Sequence, residues 1–168
     1  PGMAHGAIVF SEHPRARVLA IHTDEAADMP GVVRILTADD IPGERVLGLY
    51  AKDWPVYIKV GEVTRYIGDA LACVVAETEA EARAAAACVK VDYEVLTPLL
   101  DMEEAETSPI HIHENGNILL DKTIRRGEPV DEALARCAFT AEATYRTQAV
   151  EHAFIEPEAT LAVPEAGG

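Results

Sequence analysis

The sequence predicts an α+β fold, and three observations carry that prediction. The stretch from Arg65 to Leu96 reads as strand, helix, strand. Two alternating segments near the start, His5–Ser11 and Arg15–His22, are joined by too few residues for a crossover. Beyond Leu96, one amphipathic helix and further alternating segments follow, with no internal repeat and no low-complexity tract.

Taken in order, His5–Ser11 (HGAIVFS) and Arg15–His22 (RARVLAIH) read as an antiparallel hairpin turned by Glu12-His13-Pro14. Thr23 or Asp24 caps a short helix over Glu25–Met29, which Pro30-Gly31 ends. Val32–Leu36 is a third strand. Thr37-Ala38-Asp39-Asp40 opens one helical turn, stopped by Ile41-Pro42-Gly43. Glu44–Val63 holds Tyr50, Trp54, Pro55 and Tyr57, and reads as a long loop with a weak strand at Val56–Val60. Its aromatics are expected to pack on the sheet.

Ala70–Ala76 (ALACVVA) is a continuous apolar run, the pattern of a strand covered on both faces. Thr78 and Glu81 have capping-box spacing, each side chain taking the other's amide. The Ala-rich run behind them is strongly helix-forming. Glu77, Glu79 and Glu81 sit at the positive end of the helix dipole and Lys90 near the negative end. A helix this short and this rich in Ala lets a neighbour approach closely. Val89–Val95 alternates as a one-sided strand, and Thr97-Pro98 ends it. Parallel strands here would be joined by a right-handed crossover. No Gly-rich phosphate loop joins Ala76 to Thr78, so the unit is read as packing rather than chemistry.

After Leu96, Asp101–Glu106 is acidic and Ser108–Gly127 has no clean period, so both read as connector. Pro129–Ala138 carries Val130, Ala133, Leu134 and Cys137 at amphipathic-helix spacing. Phe139–Gln148 and Ala159–Val163 alternate like strands.

The totals exclude several classes. With 168 residues and a 49% apolar composition the chain has enough material for a core and is not disordered. No apolar run approaches the roughly 20 residues of a membrane-spanning helix. Pro1–His5 has no basic start and no long apolar core, so it is not read as a signal peptide. A net charge of −15 argues against nucleic acid or an anionic membrane as partner. Cys73, Cys88 and Cys137 are odd in number and widely spaced, with no Cys-x-x-Cys pair for zinc or iron–sulfur. They fit a reducing compartment, the cytoplasm. Both ends are abrupt, and an excised piece of a longer chain is expected.

Three groups invite chemistry. His111 and His113 point the same way if they lie on a strand, with Glu114 as the only local third ligand. Glu151, His152, Glu156 and Glu158 put carboxylates and an imidazole within eight residues. Pro157 limits any helix that would align them, and structural hydrogen bonding is the expected role. Arg125-Arg126-Gly127 offers an anion contact, but in so acidic a chain it is expected to pair with carboxylates. No nucleophilic triad, Walker loop or dinucleotide loop is found. No residue is assigned a catalytic or metal-binding role.

The order of local motifs adds a further reading. His13–Val18, then Pro30–Gly43 (PGVVRILTADDIPG), Val63–Ala72 (VTRYIGDALA), Val91–Leu96, Tyr145-Arg146-Thr147 and Glu151–Ala159 (EHAFIEPEA) resemble, in the same order, the molybdopterin-binding subunit of the xanthine dehydrogenase/aldehyde oxidase family. The resemblance implies an a/b hammerhead domain with mixed sheet and short helices over residues 1–100, a linker over 101–137, and from 138 to 168 the first hairpin of a truncated molybdopterin-binding domain. It implies that the catalytic Glu, the substrate residues and most pterin contacts lie beyond Gly168. Several members carry a Gln just before the Glu-His step, beside the molybdenum ligands. Val150 stands there in this chain, and Gln148, two residues earlier, is the one candidate cofactor-binding residue.

By that resemblance the parent is a molybdenum hydroxylase of purines, other N-heterocycles or aldehydes. Its molybdenum–molybdopterin cofactor would pass electrons to iron–sulfur and FAD groups on partner domains or subunits. The present segment is then a structural domain, itself inactive, supporting the cofactor region and those partners. Two rival readings are a free-standing scaffold module and a small metal-binding protein using His111, His113 and His152.

Overall fold

The computed structural model describes residues 2–49, 51–148, 150, 152 and 160–165. The chain forms two compact units, Pro1–Lys122 and Thr123–Gly168.

The first unit is α+β, as its sequence predicts. Its centre is β6 (Ala70–Ala76), flanked by β1 (His5–Phe10) and β3 (Val32–Thr37) in a three-stranded sheet of order β1-β6-β3. Both pairings are antiparallel. The apolar run predicts this place, since Leu71, Ala72, Val74 and Ala76 are fully buried. β2 (Ala16–His22) pairs antiparallel with β7 (Lys90–Val95) in a second sheet. A third, minimal sheet joins β4 (Val46–Leu47) to β5 (Trp54–Pro55).

Two pairing expectations are corrected. The hairpin expected between the first two strands is not formed, because β1 takes β6 as neighbour and β2 takes β7. A strand buried on both faces must have both edges paired, and β6 recruits β1 to one of them. The connector turns away accordingly. Ser11 N donates to Asp69 O at 2.8 Å, and its hydroxyl donates to His13 O at 2.9 Å. The helix after β6 is likewise not a crossover between parallel neighbours, because β6 and β7 belong to different sheets.

That helix, α2 (Glu79–Ala86), packs its Ala82 and Ala85 fully buried against the central sheet. Its cap is half of the box predicted. Thr78 Oγ1 accepts from Glu81 N at 3.2 Å, but the hydroxyl itself donates to the Glu81 carboxylate at 2.7 Å. α1 (Asp24–Ala27) lies where a short helix is expected, and Ala26 meets Val74 and Ala85 in one core cluster. Val18, Ile58 and Leu71 form a second cluster, and Ala38, Tyr57 and Cys73 a third. Ala38–Asp40 is a 3-10 turn in which Thr37 N donates to Asp40 Oδ2 at 2.9 Å.

The long loop differs from expectation in detail. Its strands lie at Val46–Leu47 and Trp54–Pro55 rather than Val56–Val60, and Trp54 is largely exposed, whereas Tyr57 joins the core. Tyr50 lies outside the described residues. α3 (Met102–Thr107) forms within the stretch read as connector, with Asp101 accepting from Glu104 N at 2.9 Å.

In the second unit, α4 (Val130–Ala135) falls inside the predicted amphipathic segment. The strand expected over Phe139–Gln148 is not formed. Phe139 and Tyr145 are almost fully exposed, and among the described residues this stretch has no partner strand and no apolar surface to hold it extended. Of Ala159–Val163, residues 160–163 have no strand structure and Ala159 lies outside the described residues.

Candidate functional site

The first unit contains a cleft of about 720 Å³ floored by β2 and the segment 61–65. The floor is built from the backbone. Arg17 and Val63 form an antiparallel bridge. Val18 N donates to Glu62 O at 2.9 Å, and Thr64 N to Ala16 O at 2.8 Å. Beneath them Ala16 and Thr64 are buried, and Thr64 Oγ1 accepts from Ala16 N at 2.9 Å. Alternation then turns the neighbouring Arg15, Arg17 and Arg65 outward, and all three line the cleft.

The wall is an ion-pair network. Arg45 grips Glu62 through both nitrogens, at 3.0 and 2.5 Å, and donates to Tyr57 O at 2.7 Å. Glu62 also accepts from Lys59 N at 2.9 Å, which closes the turn below. Arg17 donates to Gly61 O at 2.9 Å and to Glu94 at 3.2 Å. Opposite, Asp53 Oδ2 meets His113 Nδ1 at 2.6 Å. Asn117 fixes the strap that carries His113, accepting from Ile112 N and donating to Ala105 O and Ile110 O at 2.7 to 3.0 Å.

A second, apolar hollow of about 390 Å³ lies between Phe10, Trp54, Pro55 and Tyr66. Phe10, Trp54 and Ile67 are each more than half exposed, so this side of the unit presents apolar rings and chains to solvent.

Shifted ionisations sit in structural settings. Burial pushes the Tyr57 hydroxyl and the Cys73 thiol up, and the two lie in one core cluster. Burial does the same to Tyr93. The Thr37 amide, then Arg34, hold Asp40 below the ordinary carboxylate range. The Glu25 carboxylate raises Lys90. None of these groups lines the cationic cleft, so no acid–base pair tuned for catalysis stands there among the described residues.

The candidates from sequence are dispersed. His111 and His113 share the rim of the cleft, but His113 is engaged by Asp53. Among the described residues no three His, Cys, Asp or Glu side chains group to hold a metal. Arg125 and Arg126 form no ion pair with a described residue, in contrast to the pairing expected of them. The local pairing explains this, since the nearby Glu128 is taken by Arg136. Gln148 is exposed and stands outside any helix or strand, as does His152. Glu151, Glu156 and Glu158 lie outside the described residues. The arginine-lined cleft was not foreseen from the sequence. Its signal was the alternation of Arg15 and Arg17 with apolar residues, and the missing half was the partner segment 61–65.

Models of known domains divide the chain earlier, between residues 97 and 110, than its two compact units do at 122 and 123. The model of the aldehyde oxidase and xanthine dehydrogenase a/b hammerhead domain matches residues 1–97. That of the molybdopterin cofactor-binding domain matches residues 110–168. The chain is 35% identical, over its full length, to a probable xanthine dehydrogenase subunit of Bacillus subtilis, and covers 22% of that protein. It is 35% identical over 95% of its length to the nicotinate dehydrogenase large molybdopterin subunit of Eubacterium barkeri, covering 37% of it. Among solved structures, the aldehyde oxidoreductase from Desulfovibrio gigas superposes with a TM-score of 0.62 at 32% identity, over 69% of this chain and 14% of that one. The chain thus spans less than two fifths of the length of each of these relatives.

Proposed function

Because the chain belongs to the aldehyde oxidase and xanthine dehydrogenase family, we propose that it is the hammerhead portion, with the start of the cofactor-binding region, of a molybdenum hydroxylase large subunit. One observation carries this reading: two successive domain models of that family match the chain in order, over residues 1–97 and 110–168. The parent would oxidise a purine, another N-heterocycle or an aldehyde, with oxygen drawn from water. Its partners would be FAD and iron–sulfur domains or subunits. The three free cysteines favour a reducing, cytoplasmic setting. The boundaries 1–100, 101–137 and 138–168 are retained as a proposal.

The described residues do not by themselves hold a molybdopterin. Gln148, the one candidate contact, is an exposed amide on irregular backbone, and a pterin needs several donors and acceptors fixed on a rigid frame. No chemical step is therefore derived from this chain. When bound in the parent, the group would supply the hydroxylation chemistry. The first unit supplies a rigid sheet platform and, through Phe10, Trp54 and Ile67, an apolar face suited to packing by the rest of the parent chain.

The test is metal and cofactor analysis of the full-length native protein, with xanthine and aldehyde oxidation assays on the same sample. Molybdenum with turnover is expected. A folded protein with neither molybdenum nor turnover would transfer the weight to a scaffold role. Turnover by residues 1–168 alone would overturn the claim that this portion is structural.

A further inference from the structure

The cleft floor brings together two arginines, Arg15 and Arg65, that form no ion pair with a described carboxylate. Ala16 and Thr64 are bonded across the floor, and Arg15 and Arg65 are the residues that flank this pair in the same antiparallel register. Like charges placed opposite one another across such a pair are destabilising. Each of the two is bonded to a main-chain carbonyl, Arg15 to Thr97 O at 3.0 Å and Arg65 to Asp53 O. A guanidinium has five N–H donors, so most of theirs are left for something else. The carboxylates nearby are engaged elsewhere: Glu62 by Arg45, Glu94 by Arg17 and Asp53 by His113. The cleft is lined by five Arg or Lys and three Asp or Glu, the third acid being the exposed Glu114, in a chain whose net charge is −15. Its volume, about 720 Å³, is that of a small-molecule site.

We propose that Arg15 and Arg65 form an oxyanion site at the floor of this cleft, taking the carboxylate or phosphate group of a small-molecule ligand. The planar fork of each side chain suits an oxyanion bound through two oxygens. Asn115 and the exposed His111 also line the cleft, where they can meet the rest of such a ligand. The site is independent of molybdenum chemistry, and its readout is anion binding.

The experiment uses the full-length native protein and inorganic phosphate as probe, at ionic strength matched with chloride. Phenylglyoxal modification of individual arginines is followed by peptide mass spectrometry. Phosphate at about ten times its dissociation constant is expected to slow modification of Arg15 and Arg65 by about tenfold, since occupancy removes the free site in that proportion. Exposed Arg125 and Arg126 should react at the same rate in both salts. Arg65→Gln should abolish the protection of Arg15, and Arg65→Lys should retain part of it. Equal rates in phosphate and chloride, or equal protection of all arginines, would overturn the site. So would protection by hexaglutamate where phosphate gives none, since the cleft would then take an acidic peptide. The native-protein measurement decides the matter even where a variant does not fold.

Discussion

Arg45 and Glu62 form a bidentate ion pair, Nη1 to Oε2 at 3.0 Å and Nη2 to Oε1 at 2.5 Å. It ties the start of the long loop to the cleft floor. The Arg45 side chain is only 22% exposed, so its partner is not interchangeable with water. Glu62→Ala is expected to destabilise the protein by about 1–3 kcal/mol, the cost of leaving a partly buried charged donor without its acceptor. Urea unfolding of the full-length protein, with hydrogen exchange over residues 45–62, checks this. Exchange unchanged in that loop would refute the role assigned to the pair.

Thr64 is a polar side chain with almost no exposure, and its hydroxyl satisfies the buried Ala16 amide. Thr64→Val keeps the shape and removes the acceptor. The expected loss is about 1–3 kcal/mol. Thr64→Ser, which keeps the hydroxyl, should lose less. Thermal unfolding of both variants decides it, and equal losses would mean that packing dominates over the hydrogen bond.

Leu71 is fully buried on β6 against Val18 and Ile58. Leu71→Ala should cost about 2–5 kcal/mol, from lost burial and the cavity left behind. A shift smaller than that of Leu71→Val would show that the site collapses around the smaller side chain.

Gly31 joins α1 to β3 with φ +77°, and a Cβ there would meet the Glu81 carboxylate oxygens at 2.5 and 2.6 Å. Two effects add: the left-handed backbone costs an L-residue about 1–2 kcal/mol, and the Glu81 side chain must move off its place beside Thr78. Gly31→Ala in a Glu81→Ala background should recover the second part alone. A double-mutant cycle on unfolding free energy tests this. Strict additivity would place the whole cost in the backbone.

Asp40 is held below the ordinary carboxylate range by the Thr37 amide and then by Arg34. A folded-state value below the unfolded one stabilises the protein at pH above the unfolded value. That contribution is lost as pH falls through the folded value. NMR titration should find the Asp40 carboxyl midpoint below that of a free aspartate. Asp40→Asn should reduce the loss of stability on acidification, and an unchanged acid limb would argue against the coupling.

Much of the local structure was legible. Ala70–Ala76 announced a doubly covered strand, Thr78 the start of α2, and Thr37–Asp40 a single turn, because each signal lies within one hydrogen-bonding period of the chain. α3 was missed although Asp101 and Glu104 carry the spacing of a capped start, since its short, mostly acidic and small residues give no apolar stripe to read. The strand expected at Phe139–Gln148 shows the reverse error. Alternation there is real, but a strand exists only when a neighbour takes its amides.

The site was less legible than the fold. His111 and His113 drew attention as a ligand pair, whereas the structure gives His113 to Asp53, far back along the chain. Arg15 and Arg65 lie in two separate family-like segments, His13–Val18 and Val63–Ala72, and they reach one floor through the bridge of Arg17 to Val63 and the bonds between Ala16 and Thr64.

The sequence by itself determined where, outside the loop 44–63, the main strands and helices of residues 5–95 lie, which residues are apolar enough to be central, and, through ordered motifs, the family. Those properties depend on neighbours a few residues apart. The tertiary structure alone decided that β1 and β2 part company, that β6 and β7 enter different sheets, and that two arginines share one floor. Strand edges are chemically alike, so which edge pairs with which is settled by the joint burial of β6, α2 and the segment 57–64.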